Sequence, residues 1–113
     1  MDKRLYVTIL YDFYGGLLTD KQKEIFEMYY LNDLSLSEIG TSGGVSRQAV
    51  SDLLRRTTKL LTDYEERLGL AARHTRMLDC IDKLAAQCNG LREVMPAAAW
   101  HQIDETLTEI REL

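Results

Sequence analysis

The sequence is poor in residues that interrupt helices or cross-link a chain. Its 113 residues include one proline, seven glycines and two cysteines. This scarcity of helix-breaking residues, beside abundant Leu, Ala, Glu and Arg, predicts an all-α protein. Cys80 and Cys88 have no CxxC or Cys/His spacing of a zinc site, and on one helix they would be roughly 12 Å apart. A disulfide spans at most about 7 Å between Cα atoms, so we expect free thiols in a reduced, cytoplasmic protein.

Long apolar runs are also absent. No stretch of about twenty apolar residues is present, so we expect no membrane insertion, and the amino terminus lacks the apolar segment of a signal peptide. A composition of 45% hydrophobic and 28% charged residues is typical of a globular domain. The net charge of −4 argues against a nucleic-acid-binding protein unless positive charge is concentrated locally.

A first helix is predicted over residues 3–14, ending at Gly15-Gly16. Its apolar stripe comprises Leu5, Ile9 and Phe13, with Tyr6, Leu10 and Tyr14 alongside. The tyrosines are expected to place their rings in the core and their hydroxyl groups in water.

Two capping boxes mark the starts of the next helices. Thr19 and Gln22 form the first box, and Ser35 and Glu38 form the second. Asn32-Asp33 separates the two helices. The third helix must be short, because a glycine-rich tract follows it at once.

Residues 35–56 have the pattern of a helix-turn-helix. Gly40 is the small residue that lets the second helix of the motif cross the first closely, and Gly44 stands in the turn, where φ is positive. Buried aliphatic side chains are expected at Ile39, Val45, Val50 and Leu53. Gly43 stands where a large apolar residue is more usual, which predicts a weak first helix and a loose turn.

The second helix of the motif begins after the N-cap Ser46, and nothing interrupts it before Leu68-Gly69. Its buried face is predicted to comprise Ala49, Val50, Leu53 and Thr57. The outward residues predicted to contact nucleic acid are Ser46, Arg47, Gln48, Ser51, Arg55, Arg56 and Lys59. Arg and Gln recognise guanine and adenine edges, whereas Ser and Lys suit phosphates. Residues 41–60 carry a charge of +3 and the rest of the chain −7, so the positive charge is local.

Other interpretations of this helix stay open. A basic exposed face is usually only solvated, and Asp52 would repel phosphate and pair with Arg56. A helix-turn-helix can also act as a protein-interaction module. The sequence offers little for catalysis, because His74 and His101 have no partner in a recognisable motif. We therefore expect no enzyme, no metal and no cofactor.

Beyond Gly69 the sequence predicts a helical extension. One helix carries an apolar stripe of Leu78, Ile81, Leu84 and Cys88, and a last helix begins at Pro96. The apolar side of this last helix comprises Trp100, Ile103, Leu107 and Ile110. We divide the chain into a helix-turn-helix module, residues 1–68, and an extension, residues 69–113. The apolar side would form a homodimer interface or fold back onto the module.

The motifs DFY, LLTDKQ, YYLNDLSLSEI and VSRQAV occur in this order along the chain. Residues 5–70 thereby resemble the YlxM family, small bacterial proteins similar to the fourth region of sigma factors. The resemblance implies a regulatory role in the signal recognition particle pathway, with the particle's RNA, its GTPase or DNA as partner. By the same resemblance Ser46, Arg47 and Gln48 match the VSRQAV segment, and Arg55 and Arg56 match a basic pair of the family.

The residues and the resemblance together predict an all-α, sigma region four-like bundle that binds nucleic acid and regulates. A protein-interaction adaptor that binds the particle's GTPase and a DNA-binding transcriptional regulator are the alternatives. A sigma-like reader prefers the major groove of duplex DNA, whereas the major groove of A-form RNA is closed to a helix. The choice between DNA and RNA therefore stays open at this point.

Overall fold

The structure is a computed structural model that describes residues 2–113, and within them the chain forms helices and no strand. The helices are α1 (Lys3–Tyr14), α2 (Asp20–Phe26), α3 (Leu36–Gly43), α4 (Arg47–Leu68), α5 (Leu70–Gly90) and α6 (Ala97–Arg111). Single 3-10 turns occupy Gly15–Leu17 and Arg92–Val94, and a π-helical turn, Glu27–Leu31, continues α2. The predicted all-α fold with its long fourth helix is confirmed.

The chain divides into two compact units, Met1–Ala71 and Ala72–Leu113. The division falls inside the first turn of α5, three residues beyond the boundary that we placed after residue 68. No helix in the described part of the chain is both long enough and apolar enough to cross a membrane.

Both predicted capping boxes are formed. The hydroxyl of Ser35 accepts the backbone N–H of Glu38 at 3.1 Å, and the Glu38 carboxylate accepts the backbone N–H of Ser35 at 3.0 Å. The bond from that backbone N–H, followed by the side-chain bond to Ser35, lowers the pKa of the Glu38 carboxyl below its ordinary value. Thr19 and Gln22 make the corresponding pair of bonds at the start of α2. Both helix starts could be predicted from sequence, because the hydrogen bonds that cap each helix join residues only three positions apart.

The first unit has two hydrophobic clusters, with α4 contributing to both. The larger cluster comprises Val7, Leu10, Tyr14, Leu18, Phe26, Leu61 and Ala71. The smaller one comprises Ile25, Ile39, Val50 and Leu54, and it packs α2 and α3 against the first half of α4. The half-buried ring of Tyr30 packs against both clusters.

The buried face of α1 agrees with the prediction at Leu10 and Tyr14 and differs from it elsewhere. Leu5 is 53% exposed and Phe13 36% exposed, whereas Val7, Leu10 and Tyr14 are buried. The helix has apolar side chains on most of its circumference, so its sequence pattern alone did not select the face that meets α4.

The prediction that the tyrosine hydroxyls lie in water is wrong for Tyr14, which is only 1% exposed. Its hydroxyl donates to Oε1 of Glu65 at 2.6 Å and accepts the backbone N–H of Leu70 at 3.0 Å. Tyr11 is half-buried, and its hydroxyl donates to Oε1 of Glu27 at 2.8 Å.

In the second unit, α5 and α6 bury Ile81 and Leu107. An ion pair of 3.0 Å between Asp82 and Arg111 joins the two helices. A groove of about 370 Å³ between them is lined by Leu84, Cys88, Gln102, Ile103, Thr106, Leu107 and Ile110. Cys80 and Cys88 both have free thiols, as expected. The predicted homodimer stays a prediction.

Candidate nucleic-acid interface

The crossing of α3 and α4 depends on Gly40, as predicted. A Cβ atom at this position would lie 2.7 Å from the carbonyl oxygen of Val45 and 3.4 Å from the backbone nitrogen of Arg47. Real Cβ atoms do not approach a backbone oxygen so closely, so any other residue would force the start of α4 away from α3.

The turn between the two helices is a hydrogen-bonded Schellman motif rather than the loose connection that we predicted. Gly44 has a φ of 68°, and its N–H donates to the carbonyl of Thr41 at 3.4 Å. The N–H of Val45 donates to the carbonyl of Gly40 at 2.9 Å. These bonds satisfy carbonyls at the end of α3 and fix the direction in which the chain enters α4. Gly43 is the last residue of α3 and is not part of the left-handed turn.

Ser46 is the N-cap of α4, because its hydroxyl oxygen accepts the backbone N–H of Ala49 at 3.1 Å. Val45, which we expected to be buried, is 39% exposed. The connection to α3 is therefore made by the Gly40 contact and by Ile39 and Val50, which share one core cluster.

The face that α4 buries includes Val50 and Thr57, as predicted, but its other residues differ from the prediction. The buried residues are Val50, Leu54, Thr57 and Leu61. Their spacing of four, three and four residues is that of one helical stripe. Ala49 is exposed and Leu53 is half-buried, so both lie at or beyond the edge of this stripe.

The predicted contact residues all lie on α4 or at its start, over roughly 20 Å of helix. The exposed ones are Ser46, Arg47, Gln48, Arg55, Arg56 and Lys59, and Ser51 is half-buried. Arg47 and Arg56 are nine residues apart and therefore about 180° apart around the helix axis. We call the exposed side of α4 over residues 46–59, which includes both of them, the α4 face.

Asp52 lies at the centre of the α4 face. Its Oδ1 accepts Nε2 of Gln48 at 3.1 Å and Nη2 of Arg55 at 3.0 Å. Arg56 instead donates from Nε to the backbone carbonyl of Asp52 at 3.4 Å. The predicted ion pair between Asp52 and Arg56 is thus wrong, and the pair is formed with Arg55.

A second carboxylate reduces the local charge further. Lys59 pairs with Asp63 at 3.1 Å, just beyond the stretch for which we counted a charge of +3. Over residues 41–63 four cations stand against two carboxylates, which leaves +2. Within the described residues, Arg47 and Arg56 have no carboxylate partner.

The helix-turn-helix agrees with the family to which the sequence is similar. Residues 1–97 match the family model described as "Putative helix-turn-helix protein, YlxM / p13 like". The chain belongs to this family. The match therefore includes the whole helix-turn-helix and all of α5.

Individual relatives of this YlxM-family chain carry the name UPF0122 protein. One from Thermoanaerobacter sp. (strain X514) is 52% identical over 92 residues, which cover 81% of this chain and 79% of the relative. One from Caldanaerobacter subterraneus is 57% identical over 83 residues, covering 74% of this chain and 71% of the relative. A third, from Geobacillus kaustophilus, is 46% identical over 84 residues, covering 74% and 76%.

The YlxM-family chain also has a groove beside α4 that the sequence did not predict. Its volume is about 440 Å³, and α4 forms one wall with Ser51, Leu54, Arg55, Thr58, Lys59 and Thr62. Lys3, Tyr29, Tyr30 and Leu36 form the other wall. We call it the Lys3 groove. No pattern in the sequence marks Lys3, because only packing brings the start of α1 beside α4.

Arg4 fixes the aromatic wall of the Lys3 groove. Its Nη2 donates to the carbonyl of Tyr29 and to Oδ1 of Asp33, both at 2.8 Å. The guanidinium also lies 5.3 Å from the ring centre of Tyr29 and 5.1 Å from that of Tyr30. These contacts stabilise the carbonyl end of the π-helical turn.

Proposed function

We propose that this protein is a non-enzymatic helix-turn-helix regulator that binds nucleic acid through the α4 face. The observation that carries the proposal is the position of Arg47. It is the first residue of α4, it is exposed, and within the described residues its guanidinium has no partner. The Gly40 crossing and the Gly44 turn hold the backbone at this point in a defined place.

The chemistry of the first two turns of α4 suits a nucleic acid. Arg47 and Gln48 have side chains that bind base edges in two-point contacts. Ser46 accepts a backbone N–H through its oxygen, which leaves its hydroxyl proton free to donate to a phosphate. The amino-terminal end of a helix is also positive, and this adds to the attraction for phosphate.

Arg56 and Lys59 would supply phosphate contacts further along the helix. A net charge of only +2 over residues 41–63, in a chain of net charge −4, predicts weak binding to unrelated sequences. Such binding would depend on salt with a slope of about 0.9 for each phosphate contact, because these contacts release condensed counterions.

Participation in the signal recognition particle pathway is the finer part of the proposal, and it rests on the YlxM resemblance alone. Two targets follow from it and from the fold, namely the RNA of the particle and a DNA duplex. A helix can enter the major groove of DNA but not that of A-form RNA, so RNA would be bound at unpaired bases or from its minor groove.

The test compares the double variant Arg47→Gln/Arg56→Gln with the wild type on both nucleic acids. Dissociation constants are measured by fluorescence anisotropy over a series of salt concentrations. We expect weaker binding, and a salt dependence whose slope falls by about 1 to 2, since each lost phosphate contact contributes about 0.9. The matched control is Arg73→Gln/Arg76→Gln, which removes the same charge from exposed positions of α5.

Unchanged affinity and slope of the Arg47/Arg56 variant on both nucleic acids would overturn this assignment of the site. Preference for the duplex would favour a DNA-binding transcriptional regulator, and preference for the RNA would favour a role with the particle. Circular dichroism of each variant establishes that the fold is intact.

A second candidate function is an adaptor that binds the GTPase of the signal recognition particle. The observation that favours it is that Asp52, on the α4 face, and Asp63, just beyond it, pair with two of its four cations. The test is a pull-down of the GTPase with this protein after nuclease treatment. If the Arg47→Gln/Arg56→Gln variant captures as much GTPase as the wild type, the result would support the adaptor over the nucleic-acid-binding regulator.

A further inference from the structure

We infer that the Lys3 groove holds the sugar–phosphate backbone of the nucleic acid whose bases meet the first turns of α4. This inference rests on the proposed function and adds a second contact region to the same site. It assigns Lys3 to the site, and it places Arg55 and Lys59 at the phosphate backbone rather than at base edges.

The cations of the groove come from two parts of the chain. Arg55 and Lys59 are on α4, one turn apart, and Lys3 faces them across the groove from the start of α1. The lining residues include no carboxylate. Phosphate contacts therefore come from both walls, which is the arrangement of a channel that tracks a backbone.

The groove runs along α4 and begins near the proposed base contacts. Ser51, Arg55 and Lys59 follow one another at four-residue intervals, which covers roughly 12 Å along the helix. At an axial rise of about 3.4 Å per nucleotide of one strand, this length spans about three to four nucleotide steps. Arg47 lies one turn before Ser51, so a strand in the groove continues directly to the amino-terminal end of α4.

The ion pairs of the two α4 cations do not prevent this contact. Arg55 and Lys59 are each 74% exposed and pair with carboxylates of their own helix, Asp52 and Asp63. Exposed pairs of this kind are weak, so either cation can exchange its carboxylate for a phosphate. Lys3 has no ion pair within the described residues and needs no exchange.

The remaining lining of the groove suits sugars rather than a small ionic ligand. Leu36 and Leu54 are apolar, and Tyr29 and Tyr30 expose parts of their rings. Because Arg4 holds both tyrosines from outside the groove, this wall is in place before a ligand binds.

The test uses Lys3→Gln, since Lys3 has no ion pair whose loss would complicate the result. The control is Lys83→Gln, which removes the same charge from an exposed position of α5. We expect Lys3→Gln to weaken binding several-fold on every sequence and to lower the salt slope by about 1. Lys3→Gln/Lys59→Gln should lower the slope by about 2, while the ratio of affinities between preferred and unrelated sequences stays unchanged.

The outcomes separate this inference from the proposed function. Suppose that Lys3→Gln and Lys3→Gln/Lys59→Gln keep the salt slope of the wild type, while Arg47→Gln/Arg56→Gln binds more weakly. This result would contradict the role of the Lys3 groove and leave the proposed function unaffected. Failure of the wild type to bind any nucleic acid would overturn the proposed function and the groove with it. A last experiment uses tripolyphosphate as a competitor for the bound nucleic acid. At matched ionic strength we expect it to displace little of the nucleic acid. If tripolyphosphate at equal phosphate concentration displaces the nucleic acid from the wild type but not from Lys3→Gln, the groove is a site for free polyphosphate, and the inference is contradicted.

Discussion

Tyr14 and Glu65 are joined by a hydrogen bond of 2.6 Å, in which the buried tyrosine hydroxyl donates to the carboxylate. The same hydroxyl accepts the N–H of Leu70, and the same carboxylate oxygen accepts the N–H of Ala71. The first N–H groups of α5 have no partner within their own helix, so Tyr14 and Glu65 together cap it. This network ties α1 and the end of α4 to the start of α5.

Removal of the Tyr14 hydroxyl should therefore destabilise the protein. In Tyr14→Phe the N–H of Leu70 and the Glu65 carboxylate lose a buried partner, and we expect the free energy of unfolding to fall by about 1–3 kcal/mol. Tyr11→Phe is the control, because it removes one hydroxyl whose bond to Glu27 lies near the surface. Chemical denaturation followed by circular dichroism measures both, and a loss no larger in Tyr14→Phe than in Tyr11→Phe would contradict this role.

Alkaline pH should weaken the fold through the same two tyrosines. Burial, and next the hydrogen bond to Glu27, raises the pKa of Tyr11 to about 12. Burial, and next the bond to Glu65, also raises the pKa of Tyr14 above its ordinary value of 10.0. The unfolded chain then loses these protons at a lower pH than the folded chain does. Their contribution to stability is complete below pH 10 and is lost as the pH rises from there through the folded-state pKa values.

This pH dependence is measured by denaturation at about pH 9 and about pH 11, on either side of the ordinary tyrosine pKa. The wild type should lose more stability between the two than Tyr11→Phe/Tyr14→Phe, which has neither raised group. An equal loss in both proteins would show that these tyrosines are not its source.

Two glycines of α3 should respond in opposite directions to alanine. Gly40→Ala places a methyl group 2.7 Å from the carbonyl oxygen of Val45, and we expect a loss of about 1–3 kcal/mol together with weaker nucleic-acid binding. Gly43→Ala meets only Cγ2 of Val45 at 3.9 Å and should gain about 0.5–1 kcal/mol from helix propensity. Thermal denaturation of both variants checks the prediction, and a stabilised Gly40→Ala would refute the close crossing.

Thr57 should be improved by valine. The residue is fully buried, and its Oγ1 has no hydrogen-bond partner within the described part of the chain. Thr57→Val keeps the shape of the side chain and removes the unsatisfied hydroxyl, so we expect a gain of about 1 kcal/mol in the free energy of unfolding. The neighbouring Thr58→Val is the control, because Thr58 donates to the carbonyl of Leu54 at 2.8 Å. A destabilised Thr57→Val would indicate a partner for this hydroxyl.

Asp52 should limit the affinity of the α4 face for nucleic acid. Asp52→Asn removes a negative charge between Gln48 and Arg55 while keeping an oxygen that accepts their hydrogen bonds. We expect binding about 3- to 10-fold tighter at low salt, with a steeper salt dependence. Asp79→Asn on α5 is the charge-matched control. Weaker binding of Asp52→Asn would mean instead that the carboxylate is needed to position Gln48 and Arg55.

Much of the local structure was predictable from sequence. The capping boxes of Thr19 and Ser35, the N-cap Ser46 and the left-handed Gly44 all lie where the sequence indicated. Each depends on interactions within about four residues, so a short segment contains the necessary information. Gly40 was also found, because a close helix crossing accepts only the smallest residue.

The sequence by itself determined the helices and the residues at which they begin and end. Tertiary structure decided which side of α1 is buried, since apolar side chains on most of its circumference allow several choices. It decided as well that Asp52 pairs with Arg55, because helical spacing permits a carboxylate to meet a cation either three or four residues away. The Lys3 groove is the feature that could least be predicted from the sequence. Lys3 and Lys59 are far apart along the chain, and only the packing of α1 against α4 sets them on opposite walls.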